Sequence, residues 1–268
     1  MASDVPSGKT DWSATPFRLL NLFAFLPLIV GNALAGTGAL SGESIGVIAN
    51  RWRTLFLPAN WTFGIWSLIY LGLAAFVVYQ VMPGNNARRV ARRIGPLWLV
   101  TVVLNLAWIS AFSFSRFGLA LAVMVGLLLS LILVFTRLDV GGTPVRKGER
   151  AFVQAPFSLY LGWIMVALIV NTAQYLSYLG WEGAPLSPLA WSVIMMAVAA
   201  AIGALFDLLK GEWIVPLVVA WALAGIAARY SDQPTLVWVA TALAGLSVLF
   251  PLARRIRSPH SPSASTSI

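Results

Sequence analysis

The sequence predicts an all-α protein, a polytopic transmembrane helix bundle of about eight spans, on three observations. Hydrophobic residues make up 59% of the 268 residues and charged residues only 10%, whereas a water-soluble domain needs roughly a quarter of its residues charged. Eight apolar runs, each about the 17–25 residues that a bilayer demands, begin near Phe17, Trp61, Gly95, Phe117, Ala155, Pro188, Trp213 and Pro234. The basic residues then sort by side. Eight spans place fourteen of the 18 Lys and Arg in the two tails and alternate loops, leaving Arg51, Arg53, Arg116 and Arg229 on the other side. A seven-span arrangement moves the three tail arginines across and weakens the asymmetry. The positive-inside rule therefore puts both termini in the cytoplasm, and the expected location is the bacterial cytoplasmic membrane.

A formal net charge of +9 invites a nucleic-acid reading. The basic residues sit in short clusters between apolar runs, however, where anionic headgroups explain them, so nucleic acid is excluded and membrane lipids are the expected partners. With no cysteine there is no disulfide, thiolate nucleophile or Cys-ligated metal. The only histidine, His260, lies in a Ser/Pro-rich tail, and no span centre carries a carboxylate or lysine. No catalytic residue and no metal ligand is assigned, and an enzyme is the weakest class.

In chain order, residues 1–16 form a polar tail and the first run ends near Gly36. Ala33-Leu34-Ala35 resembles a signal cleavage site, but Asn21, Pro27 and Asn32 interrupt the run as a bundle helix tolerates, so the segment is kept as a span. Residues 37–57 are too polar and glycine-rich to cross a bilayer and form either a lid or a plain loop. Pro58 and Asn60 are helix-start residues, the asparagine able to accept a first-turn N–H, so a helix is expected from near Trp61. On it Phe63, Trp66 and Tyr70 fall at i, i+3 and i+7 and share one face.

Trp61, Trp98, Trp181, Trp191, Trp213 and Trp238 lie near span ends, as headgroup-level anchors do. Trp66, Trp108, Trp163 and Trp221 sit deeper, where an indole N–H needs a partner or a cavity. Asn105 and Asn171 are the deepest amides, costly in hydrocarbon unless they bond across helices or to a ligand. Asn105 and Trp108 share a face, and Trp163, Ala167, Asn171 and Gln174 follow i, i+4, i+8, i+11. Taken singly, each aromatic or amide is a helix-packing group at least as readily as a ligand contact. Asp207 and Lys210, near a span end, are read as snorkelling to the interface.

The block Pro58-x-x-Trp61-x-Phe63-Gly64, then Trp66-x-x-x-Tyr70, Leu104-Asn105 with Trp108, and Pro156 through Leu161-x-Trp163 with Ala167 and Asn171 resembles the TspO/MBR family of tryptophan-rich sensory or translocator proteins. The resemblance covers residues 17–181 and implies a five-helix membrane core there. Three additional helices at 182–253 and a polar tail at 254–268 complete the chain. It further implies a pocket near the long first loop for a tetrapyrrole such as protoporphyrin or another lipid-like molecule, lined by Trp66, Tyr70, Asn105, Trp108, Trp163, Ala167 and Asn171. Ala167, one turn from Trp163, leaves room for a ring.

Four features depart from the family pattern. Only Ile65 separates Gly64 from Trp66 where two residues are common, Ile109-Ser110 stands where Pro-Pro is usual, Leu57 stands where a basic residue often precedes the loop proline, and no Lys or Arg follows Tyr175 closely enough for the sterol pattern. No obligatory cofactor is expected, a porphyrin is the candidate ligand, and homodimerisation is left open. The function expected is binding of that hydrophobic small molecule in a sensory or translocator role. The alternative is an uncoupled secondary transporter or facilitator, and the absence of mid-span ionisable groups argues against ion coupling.

Overall fold

The computed structural model describes residues 15–52 and 54–257; the tails containing Lys9 and His260, and Arg53, lie outside the described residues. Each predicted run coincides with a helix. In order these are α1 (Thr15–Thr37), a short loop helix α2 (Ile45–Arg51), a 3-10 turn (Asn60–Gly64) feeding α3 (Ile65–Val81), α4 (Asn85–Ile94), α5 (Leu97–Ser113) and α6 (Phe117–Arg137). The single turn α7 (Lys147–Glu149) runs through a π-type segment (Arg150–Gln154) into α8 (Ala155–Tyr178), followed by α9 (Pro188–Lys210), α10 (Ile214–Arg229) and α11 (Pro234–Arg257). Six of these segments are long and apolar enough to cross a membrane alone, and α5 reaches that length only together with α4, from which it is bent by 55°.

The eighth run, α10, has 16 residues, about 24 Å at the helical rise and short of the roughly 30 Å hydrocarbon core. Its length follows from its position. Val215, Val218, Val219, Leu223 and Ile226 are all buried, so α10 is covered by protein on most of its surface, and its ends are less bound to reach the headgroups.

Helices α1, α3, α5, α6 and α8 pack side by side: α1 on α3 and α5, α5 on α6, α6 on α8, and α8 back on α3. Small residues set the close approaches, as expected where lipid supplies no hydrophobic drive between helices. A Cβ on Gly72 would lie 3.0 Å from Pro156 of α8. Helix α10 packs along α8, where Gly162 meets Val218, and α9 and α11 cover α10. Gly203 of α9 lies against Pro216, Ala199 is buried, and Gly225 of α10 faces Thr62 of the 3-10 turn.

One end of the bundle gathers the charge. Arg18 donates to the carbonyls of Gln80 (2.5 Å) and Met82 (2.8 Å), Arg89 pairs with Glu149 at 2.7 Å, and Arg254 pairs with Asp207 at 2.7 Å. Asp207 is therefore no snorkelling group: it is buried and held by α11. Trp98 is likewise no interface anchor; it is fully buried and donates to Asn21 O at 2.9 Å, because the bend at Gly95-Pro96 turns the start of α5 inward. In the loop after α6, the Thr143 side chain and N–H donate to Asp139 and hold its carboxyl below the usual carboxylate range. Between α9 and α10, burial raises Glu212 above its usual range against the opposing Ile214 N–H bond. A reporter fused after Ser258 and another near Asn86 are expected on the same face of the membrane; opposite faces would reject the eight-helix topology.

Candidate functional site

At the end of the bundle opposite the charge, the loop between α1 and α3 roofs a cavity of about 320 Å³. Its wall is aromatic because three helices each contribute one face. Trp66 is the hub: its ring stacks on Tyr70 (centroids 5.5 Å, 18°) and on Trp108 (6.0 Å, 25°), and meets Trp163 edge-on at 6.4 Å. Phe63 closes on Trp163 at 5.8 Å, at right angles. The shortened Gly64-to-Trp66 spacing is absorbed by the 3-10 turn ending at Gly64, whose tighter winding precedes α3 and leaves Trp66 facing inward.

From α8, Trp163, Ala167, Asn171 and Gln174 all line the cavity. Trp108 Nε1 donates to Asn171 Oδ1 at 3.3 Å and Asn171 Nδ2 donates back to Ala167 O at 2.9 Å. The Trp163 indole N–H is buried without an acceptor. An orphan donor of this kind costs about 1–3 kcal/mol.

Six of the seven sequence-selected residues therefore face one space: Trp66, Tyr70, Trp108, Trp163, Ala167 and Asn171. Asn105 does not. Its oxygen accepts from Asn32 Nδ2 at 2.8 Å and its amide donates to Tyr160 OH at 2.7 Å, so it ties α1, α5 and α8 together beneath the cavity. Trp221 also falls outside: it is 41% exposed, packs edge-on against Trp61 and donates to Thr62 O. Asn60 differs in its partner, since its side chain accepts from Asn50 Nδ2 at 2.9 Å instead of capping the first turn.

Of the two readings the sequence left for residues 37–57, a lid or a plain loop, the structure favours the lid. Ile45, Gly46 and Ala49 of α2 line the cavity, so residues 37–57 act as a lid; Ser44 caps α2 by accepting from Val47 N–H. The signal was available in Ser44 ahead of the apolar Ile45, Val47 and Ile48. Beyond the lid lies a larger, open cleft of about 1140 Å³, bordered by Thr54, Leu55, Phe56, Trp181, Trp191, Arg229 and Tyr230. It mixes exposed charges with aromatic edges and lacks the continuous aromatic wall of the inner space.

A family model described as TSPO-like protein matches residues 18–253, a range that includes α9, α10 and most of α11. No curated protein and no solved structure matches the chain. With apolar helices of membrane-spanning length, an aromatic space under its first loop and a family match over most of its length, the chain is an integral membrane protein that belongs to the TSPO-like family.

Proposed function

We propose that this protein binds a flat hydrophobic ligand of the tetrapyrrole class, such as protoporphyrin, in the aromatic cavity, in a sensory or translocator role. The observation that carries this reading is the wall of Trp66, Tyr70, Trp108 and Trp163 around one space with no charged residue in its lining. Flat aromatic faces suit a planar π-system, and the absence of charged residues from the lining suits a weakly polar one. At about 320 Å³ the cavity sits at the lower end of small-molecule sites, about 300–1,000 Å³, so a tetrapyrrole enters with the lid displaced. The Asn32–Asn105–Tyr160 bonds tie α1, α5 and α8 together at the cavity's base, which supports binding over free passage along the bundle axis. Titration of the detergent-solubilised protein with protoporphyrin is expected to quench tryptophan fluorescence saturably, with a panel of linear lipids failing to compete. Quenching that rises without saturation, or that linear lipids abolish, would reject the reading.

A further inference from the structure

The end of the lid and the 3-10 turn that follows it, from Ala49 to Thr62 apart from Arg53, also form a partition: Ala49, Pro58 and Asn60 face the aromatic cavity, while Thr54, Leu55 and Phe56 face the outer cleft. Its fastenings come from far along the chain. Arg229 Nη2 donates to Asn50 Oδ1 at 2.6 Å and Nη1 donates to Pro58 O at 3.3 Å, and Tyr230 OH donates to Thr54 O at 2.6 Å. Upstream on α10, Gly225 O accepts from Ala59 N at 3.0 Å and Trp221 Nε1 donates to Thr62 O. A Cβ on Gly225 would lie 2.5 Å from Thr62 Cγ2, so the partition is seated on backbone that only glycine leaves bare.

Both acceptors of the guanidinium are neutral oxygens, and no carboxylate among the described residues forms an ion pair with Arg229. A charge-assisted bond is stronger than a neutral one. Two of them from one planar fork fix the two ends of the lid relative to each other.

We propose that Arg229 and Tyr230 are specificity-determining residues: by fastening the partition they hold the aromatic cavity at its closed volume and discriminate among flat ligands by size. This inference rests on the aromatic-ligand reading above. A tricyclic ligand fits beneath the closed lid. A whole macrocycle requires the partition to move into the cleft, so its apparent affinity is reduced by the small fraction of molecules in the opened state.

The chain contains no cysteine, so a thiol introduced by Ala49→Cys, at a site only 7% exposed, reports opening through its rate of maleimide labelling. In detergent, Arg229→Gln is expected to raise that rate at least tenfold and Tyr230→Phe to raise it less. In the Ala49 protein, Arg229→Gln is expected to tighten protoporphyrin binding at least fivefold while shifting acridine, a tricyclic probe with a ring-nitrogen acceptor, by less than twofold. An unchanged labelling rate in folded variants overturns the fastening, and an unchanged protoporphyrin-to-acridine ratio alongside faster labelling overturns the size discrimination. If Arg229→Gln fails to fold, Tyr230→Phe, which keeps the ring, carries both measurements. Failure of both probes to quench the parent protein rejects the ligand reading separately, and the labelling rate then decides the fastening alone.

Discussion

Ala167→Leu is expected to weaken protoporphyrin binding at least tenfold, about 1.4 kcal/mol, while the protein stays folded. Ala167 lies on the cavity wall one helical turn from Trp163, and its carbonyl accepts the Asn171 amide. A leucine there leaves that backbone bond intact and takes its extra volume from the cavity that Ala167 lines. Filling a void with buried methyl groups is favourable by about 0.8 kcal/mol per CH₂, and the thermal midpoint in detergent should hold or rise. The ligand loses the volume the leucine takes and its stacking contact beside Trp163. Tight binding by a folded Ala167→Leu protein would remove α8 from the site.

Arg89→Leu and Glu149→Leu should differ sharply although they break the same pair. The Glu149 side chain is fully buried and its Oε1 has no partner, while the Arg89 side chain is 48% exposed. Removing the arginine strands a buried carboxylate, a loss of about 3–5 kcal/mol for enclosed pairs, reduced here to roughly 2–3 kcal/mol because the arginine end of the pair is wet. Removing the glutamate leaves only a solvated guanidinium and should cost under about 1 kcal/mol. The double variant should then be close to Glu149→Leu alone. Unfolding of the three variants in detergent measures the asymmetry; equal losses for the two single variants would mean that Glu149 finds another partner or water.

Both the helices and most of the site were legible because their signals are periodic. A run of membrane length announces a span, and Trp163, Ala167, Asn171 and Gln174 fall on one face of α8 by spacing alone. Asn105 shows where that logic ends. Its face was read correctly, but the face meets Asn32 and Tyr160, and spacing along one helix carries no information about what stands opposite. Trp98 and Trp221 failed for the reverse reason: proximity to a span end or centre says nothing about whether a bend or a neighbouring helix covers the ring. Asp207 was misjudged because its partner, Arg254, lies 47 residues downstream. The lid was least legible, since its anchors on α10 lie as far as 179 residues away.

That separation gives the protein a time order during synthesis. At roughly 5–20 residues per second, Arg229 emerges on the order of 10–35 s after Asn50, and for that interval the lid has none of its α10 fastenings. The nascent bundle passes through a stage in which α3, α5 and α8 already carry their aromatic faces while the roof above them is unsecured.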